Sequence, residues 1–192
     1  MIINCDNCCG QNKNNLMMDY MLWRINNGLH TSITVSFLLA GHTKFAPDGC
    51  FGLFKREFRR TYVSCLDDIV KTVCNSTQEG INKACLVGSE SGEQYVHYYD
   101  WESFLKPHFK RLVGIKSFHH FTFSSEHHDS VSVKEFSDSP SIKIKLLRGD
   151  CPDGFPEKIP IEGLDDARRS YLHKEVREFC TPETRDLVCP AP

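Results

Sequence analysis

The run SITVSFLLAG, residues 32–41, constrains the fold of this chain more than any other feature of its sequence. Its alternating apolar residues are Ile33, Val35, Phe37 and Leu39. Alternation with β-branched side chains is typical of a buried strand. Residues 1–6 also predict a strand, which begins almost at the first residue. The start of the chain therefore predicts a sheet with helices between its strands.

The segment between these two strands, LMMDYMLWRIN, predicts a helix. Apolar and aromatic residues recur along it at helical spacing, which predicts one face packed in the core. Asn14 or Asn12 is the candidate N-cap, and Gly28 stands where such a helix would stop.

The segment after residue 41 predicts two further helices. FGLFKREFRR has an apolar stripe, and Asp48 precedes it as a candidate cap. The stripe consists of Phe51, Phe54 and Phe58. Ser64 opens the next helical stretch, whose apolar residues also follow a helical spacing.

The remainder of the chain has a different pattern. Residues 77–93 predict a loop, and Gln94–Tyr98 a short strand. FHHFTFSS, SVSVKEF and SIKIKLL alternate, which predicts an antiparallel meander. A proline-rich loop, residues 151–160, leads to a final helix, GLDDARRSYLHKEVREFC.

Composition excludes some classes of protein. The 192 residues are 40% hydrophobic and 25% charged, as in an ordinary globular chain, and the net charge of −2 argues against a wholly basic nucleic-acid coat. No apolar run approaches the roughly 18 residues of a membrane span, and no secretory signal is visible. These features predict an intracellular protein, nuclear or cytoplasmic, without a membrane.

The ten cysteines allow three interpretations. A disulfide framework requires an oxidising compartment, which the sequence does not indicate. Zinc binding requires paired ligands, and only Cys5 and Cys8 have the spacing of a zinc knuckle, with Cys9 beside them. Reduced thiols that act as small core residues are the interpretation we favour.

Two carboxylates could form a reactive site. Asp6 ends the first strand, and Asp48 begins the helix after the second strand. If the strands are neighbours, these acids approach each other at one edge of the sheet, where a divalent ion would neutralise them. His42 lies in the turn between strand and helix, within reach of the same edge. The alternative is that both acids are ordinary turn and cap residues.

Several stretches resemble a family of uncharacterised, transposon-derived animal proteins. The most specific are DNCCGQNKNN and ITVSFLLAGHTKFAPDGCFGLFKREFRRT, and WRINNGLH, YDW, GIKSFHHFTF and the final helix also resemble it. That family looks like a DDE transposase domain with a ribonuclease H-like fold. Its motifs read D-N-C-x-G-Q-N-K-N and G-H-T-x-x-x-x-D.

The resemblance implies a fold, a cofactor and a set of site residues. The fold is α/β: a partial ribonuclease H-like half (strand-helix-strand-helix), then a small antiparallel β meander and a C-terminal helix. It implies three segments, 1–76, 77–160 and 161–192. Asp6 and Asp48 would bind Mg²⁺ or Mn²⁺, with His42 as an accessory catalytic residue. The third acid of such a site belongs to an earlier strand, so we expect a truncated, inactive fragment lacking the N-terminal half of the domain.

A basic face on the second predicted helix suits a nucleic-acid backbone, with DNA as the expected partner. Its residues are Lys44, Lys55, Arg56, Arg59 and Arg60. The alternative is a solvated helix face. Three functions stay open: a metal-dependent transposase-type enzyme, a non-catalytic DNA-binding or scaffold remnant, and a small zinc-binding module.

Overall fold

The computed structural model of the protein describes residues 1–39, 46–89 and 93–192. The predicted site residues His42 and Lys44 lie outside these ranges.

The chain forms two compact units that alternate along the sequence. The first consists of Met1–Thr43 and Tyr98–Ile159, and the second of Lys44–His97 and Pro160–Pro192. Each unit therefore combines residues from more than one of the three consecutive segments, 1–76, 77–160 and 161–192, that the sequence suggested.

The first unit contains the strands. They are β1 Ile2–Cys5, β2 Ser32–Phe37, β3 Tyr98–Tyr99, β4 His120–Ser124, β5 Ser130–Lys134, β6 Ile142–Lys145 and β7 Lys158–Ile159. In the described residues, five of them form a mixed sheet in the order β1-β2-β4-β5-β6. β1 and β2 are parallel and the other neighbours antiparallel. The expected α/β class and antiparallel meander are confirmed.

The helices follow in chain order. They are α1 Asn15–Asn26, α2 Ala46–Phe58, α3 Leu66–Asn75, α4 Trp101–Leu105, α5 Asp166–Tyr171 and α6 Arg185–Val188. A π turn (Leu172–Val176) and a 3-10 turn (Arg177–Phe179) continue α5, so the predicted C-terminal helix is present as one irregular helical run. None of the helices in the described residues has the length and apolar character of a bilayer-spanning segment.

Helix α1 makes the crossover that a parallel strand pair requires. Asn14 caps it, since its side-chain oxygen accepts a hydrogen bond from the Met17 backbone N–H at 2.9 Å. The helix ends at Asn26 with Asn27 as its C-cap, and Gly28 then takes a left-handed φ of 69°. Of the two predicted caps, Asn14 is therefore the one used.

The hydrophobic core lies in the first unit, where α1 packs on the sheet. Its fully buried side chains include Met18, Leu22, Trp23, Ile33, Val35, Leu105, Phe121, Phe123, Val131 and Val133. The inward residues of β2 are therefore those that the alternation predicts. Two predicted strands differ from the structure. The strand predicted over residues 32–41 ends at Phe37, and of the predicted strand Gln94–Tyr98 only Tyr98 belongs to a strand.

The second unit has little apolar core. Helix α2, all of whose residues are described, has none buried: Phe51 is 64% exposed and Phe58 42% exposed. The predicted apolar stripe of this helix, Phe51, Phe54 and Phe58, is therefore not part of a buried core. Asp48 is not the cap either, because α2 begins two residues earlier at Ala46 and places Asp48 in its first turn. A carboxylate there still interacts favourably with the helix dipole.

Two cysteines of the second unit are buried together near the end of the chain. The Sγ atoms of Cys180 and Cys189 lie 3.9 Å apart, and all ten cysteines are free thiols. Arg177 fixes this segment, donating from Nη1 to the Cys189 carbonyl at 2.7 Å and to the Arg185 carbonyl at 3.0 Å. Arg177 therefore satisfies carbonyl groups of the first residue of α6 and of its C-cap, Cys189.

Candidate functional site

Asp6 lies at the carboxyl edge of the parallel strand pair. It directly follows Cys5, the last residue of β1, and Cys5 is opposite Phe37, the last residue of β2. Ligands of open α/β sheets bind outside the carboxyl ends of parallel strands. The position of Asp6 at a strand end is therefore as the sequence predicts.

The turn after β1 orients the Asp6 carboxylate. Asn12 Nδ2 donates to Asp6 Oδ1 at 2.9 Å, and the Cys8 backbone N–H donates to the same oxygen at 3.4 Å. The turn is itself closed by three backbone N–H groups, of residues 11, 12 and 13, that donate to the Cys8 carbonyl. In the described part of the chain, no hydrogen bond reaches Asp6 Oδ2. The half-buried carboxylate is thus oriented through Oδ1.

Lys13 also lies at this edge of the sheet, and the sequence prediction did not include it. Its side chain is 1% exposed, and Nζ donates to the Lys116 carbonyl at 3.0 Å. Nζ also lies 5.4 Å from the ring centroid of Phe37. Burial lowers the pKa of the Lys13 ammonium. Nothing in the polar run around Lys13 signals burial, because a lysine in such a loop is ordinarily exposed.

The cysteines of the same turn have no cluster of metal-ligating side chains around them among the described residues. Across residues 1–39, 46–89 and 93–192, no three His, Cys, Asp or Glu side chains are grouped as metal ligands. Burial, and then the charge of Asp6, raises the pKa of the Cys5 thiol. A zinc ligand must be a thiolate, so this environment favours the form that does not bind zinc.

Asp48 belongs to the second unit, in the exposed first turn of α2. Asp6 and Asp48 therefore come from different units, and a shared metal site remains a prediction. His42 lies outside the described residues.

Four of the predicted phosphate-binding residues lie together at the end of α2. This basic cluster consists of Lys55, Arg56, Arg59 and Arg60, all exposed. Lys55 and Arg59 are one turn apart, as are Arg56 and Arg60, and the Arg59 N–H donates to the Lys55 carbonyl at 3.2 Å. Among the described residues, none of the four forms an ion pair. Their charges therefore face solvent and can meet an anionic partner. The fifth predicted residue, Lys44, lies outside the described residues.

Acidic side chains lie beside part of the basic cluster and reduce its positive charge there. A shallow cavity of about 500 Å³ is lined by Arg56 and Arg60 together with Glu57 and Glu79. A phosphate backbone would therefore meet the Lys55 and Arg59 side of the cluster more favourably.

Comparisons with known proteins give one match. A family model described as a domain of unknown function, DUF7869, matches residues 1–139, which include Asp6, Asp48 and the basic cluster. No curated protein and no solved structure matches the chain. Because the family model spans well over half of the 192 residues, the chain belongs to the DUF7869 family.

Proposed function

We propose that the chain is a nucleic-acid-processing domain related to DDE transposases, in which Asp6 binds a divalent metal ion. The single observation that supports this function most is the Asp6 carboxylate. It lies at the carboxyl edge of a parallel strand pair, oriented through Oδ1 by Asn12 and Cys8. The other support is the similarity of the two motif blocks to transposon-derived proteins.

The chemistry follows from the properties of Mg²⁺ and Mn²⁺. These hard cations prefer carboxylate oxygens and retain several waters, so one oriented carboxylate can supply one ligand of such a site. Held by Asp6, such an ion would supply activation of the attacking water or hydroxyl and neutralisation of charge on the leaving oxygen. We propose Asp48 as the second ligand and His42 as the accessory proton carrier, as the sequence resemblance implies.

Replacing Asp6 by asparagine tests this proposal. We expect Asp6→Asn to weaken Mn²⁺ binding at least about tenfold, because the amide removes the anionic ligand but preserves the shape of the side chain. Asp48→Asn should cause a comparable loss if Asp48 is the second ligand. Electron paramagnetic resonance of the free Mn²⁺ ion measures this binding. Because the chain is expected to be inactive by itself, metal binding and not DNA nicking is the measured quantity.

The matched control is Asp138→Asn, which removes an exposed carboxylate of the same unit. Mn²⁺ binding should be unchanged in this variant. A wild-type chain that does not bind Mn²⁺ at millimolar concentration would contradict the proposal.

A second candidate function is nucleic-acid binding without catalysis. The basic cluster favours it, since four exposed cations that form no ion pair with any described residue make a local positive surface on a chain of net charge −2. Such a surface binds phosphates through counterion release, without any metal.

Charge reversal in the basic cluster tests this second function. We expect Arg59→Glu with Arg60→Glu to weaken DNA binding at least about tenfold at low salt, and to reduce the slope of log K against log salt by about 2. Fluorescence anisotropy with duplex DNA and with RNA of the same sequence measures both quantities. The control pair is Arg168→Glu with Arg169→Glu, which changes the same charge elsewhere in the second unit. An equal loss of DNA affinity in the control pair, or no DNA binding by the wild-type chain at low salt, would contradict this second function.

A further inference from the structure

A cavity of about 490 Å³ lies in the first unit, and neither Asp6 nor any residue of the basic cluster lines it. It opens beside the first turns of α1, which contribute Asn14, Asn15 and Leu16. The opposite wall comes from α4 and the segment that follows it, including Phe109. Its volume is within the range of small-molecule sites, which are largely apolar with a few polar groups.

Asp19 is the polar group of this cavity that lacks a partner. It lines the cavity, its side chain is only 8% exposed, and in the described residues its Oδ1 atom is buried without a hydrogen bond. Burial raises the pKa of Asp19 to about 7. A buried oxygen left unpaired is costly, and a ligand that donates a hydrogen bond to it would remove this cost.

Positive charge surrounds the mouth of the same cavity. The cationic lining residues are Lys106, Lys110, Arg111 and Arg148, all exposed. The acidic lining residues are Glu102, which pairs with Lys106 at 3.4 Å, and Asp19. Arg148 is held in place because its Nε donates to the Phe109 carbonyl at 2.8 Å. Cations therefore exceed acids at the mouth, and the buried wall supplies one acceptor.

We propose that this cavity binds a small organic phosphate, with the phosphate at the cationic mouth and a hydroxyl or amino group of its body donating to Asp19. A dianionic phosphate matches several cations better than a single carboxylate does. Leu16 and Phe109 offer apolar surface to the body of the ligand. A nucleoside monophosphate combines all three features. Its source is either a free nucleotide or the phosphorylated end of a nucleic-acid strand.

The site is independent of the proposed function. None of its lining residues belongs to the basic cluster or to the Asp6 edge, so loss of Mn²⁺ binding in the Asp6 variant would leave it unaffected.

Titration of the purified 192-residue chain with nucleoside monophosphates tests the proposal. We expect chemical-shift changes in ¹H–¹⁵N spectra at residues 14–19 and 106–111, saturating below millimolar concentration for at least one of the four common bases. Lys110→Glu with Arg111→Glu should weaken binding at least about tenfold. Asp19→Asn should weaken nucleotide binding severalfold. The same substitution should also weaken binding of the unphosphorylated nucleoside severalfold. Lys116→Glu, an exposed lysine of the same unit outside the cavity, should have no effect.

Further probes separate the sources of the ligand. A 5′-phosphorylated oligonucleotide that binds more tightly than the mononucleotide, with the same dependence on Asp19, identifies a strand end as the source. Weaker binding of the oligonucleotide identifies a free nucleotide. The proposal is overturned if no nucleotide or oligonucleotide shifts these residues. It is also overturned if inorganic phosphate binds as well as the nucleotides, or if the Lys116 control loses as much affinity as the cavity variants. Circular dichroism checks that each variant is folded.

Discussion

Replacing Trp23 by alanine is expected to lower the free energy of unfolding of the first unit by about 3–5 kcal/mol. Trp23 is 1% exposed and lies at the centre of an aromatic group. Its ring centroid is 4.7 Å from that of Trp101, 5.5 Å from that of Phe155 and 5.6 Å from that of Tyr20. Alanine would leave a large cavity between α1 and α4, and the lost ring contacts would add to the loss of apolar burial.

Urea denaturation followed by the fluorescence of Trp101 measures this change, because Trp101 is the other tryptophan of the chain and packs on the substituted position. Trp23→Phe should cost much less, since phenylalanine keeps an aromatic ring and removes an indole N–H that has no partner in the described residues. Phe51→Ala, at an exposed position of α2, should change stability by no more than about 0.5 kcal/mol. A Trp23→Ala cost as small as that of Phe51→Ala would show that the core is not packed as described.

Replacing Asp19 by asparagine is expected to stabilise the protein, by an amount that depends on pH. Burial raises the pKa of Asp19 from the usual 3.8 to about 7, so the folded protein binds a proton that the unfolded chain releases. Stability is therefore unaffected below about pH 4, falls as pH rises towards 7, and stays reduced above pH 7. The free energy of unfolding lost between about pH 4 and pH values above 7 corresponds to about 4 kcal/mol. The gain in stability of Asp19→Asn is smaller, because the amide is itself partly unpaired.

Urea midpoints of wild type and Asp19→Asn between pH 4 and pH 8.5 measure this dependence. The two proteins should be about equally stable at pH 4 and diverge with rising pH. Asp129→Asn is a control of opposite sign. The Ser130 hydroxyl and then Lys145 lower the pKa of Asp129, so its carboxylate stabilises the protein above the usual Asp pKa, and that contribution is lost as pH falls. A constant difference between wild type and Asp19→Asn across the pH range would contradict a raised pKa.

The sequence predicts the local elements of the first unit well because hydrophobic period and capping are local signals. The alternation along β2 and the position of Asn14 before α1 needed no knowledge of distant residues. The pairing of β2 with β4 was not predictable in this way, since nothing near either strand specifies its partner. The sheet therefore joins strands that the sequence assigned to separate segments.

The candidate site was predictable to a similar degree. The position of Asp6 follows from a strand that ends in a polar turn, whereas the burial of Lys13 depends on distant contacts with Lys116 and Phe37. Asp19 did give a signal that the sequence prediction did not use. It is three residues after Leu16 and four before Trp23, so it falls on the apolar stripe of α1, where a carboxylate is unexpected.

The pairing of β2 with β4 also affects how the first unit folds. Ser36 and His120 are neighbours in the sheet but 84 positions apart in the chain, and the intervening residues include much of the second unit. A topology rich in such distant contacts folds slowly, because the long loop must close before the contacts form. The entropy of loop closure grows only logarithmically, so halving the segment would lower the cost by about 0.6 kcal/mol and speed folding by about threefold. The sheet can therefore accept insertions of very different length between β2 and β4 with little effect on its stability.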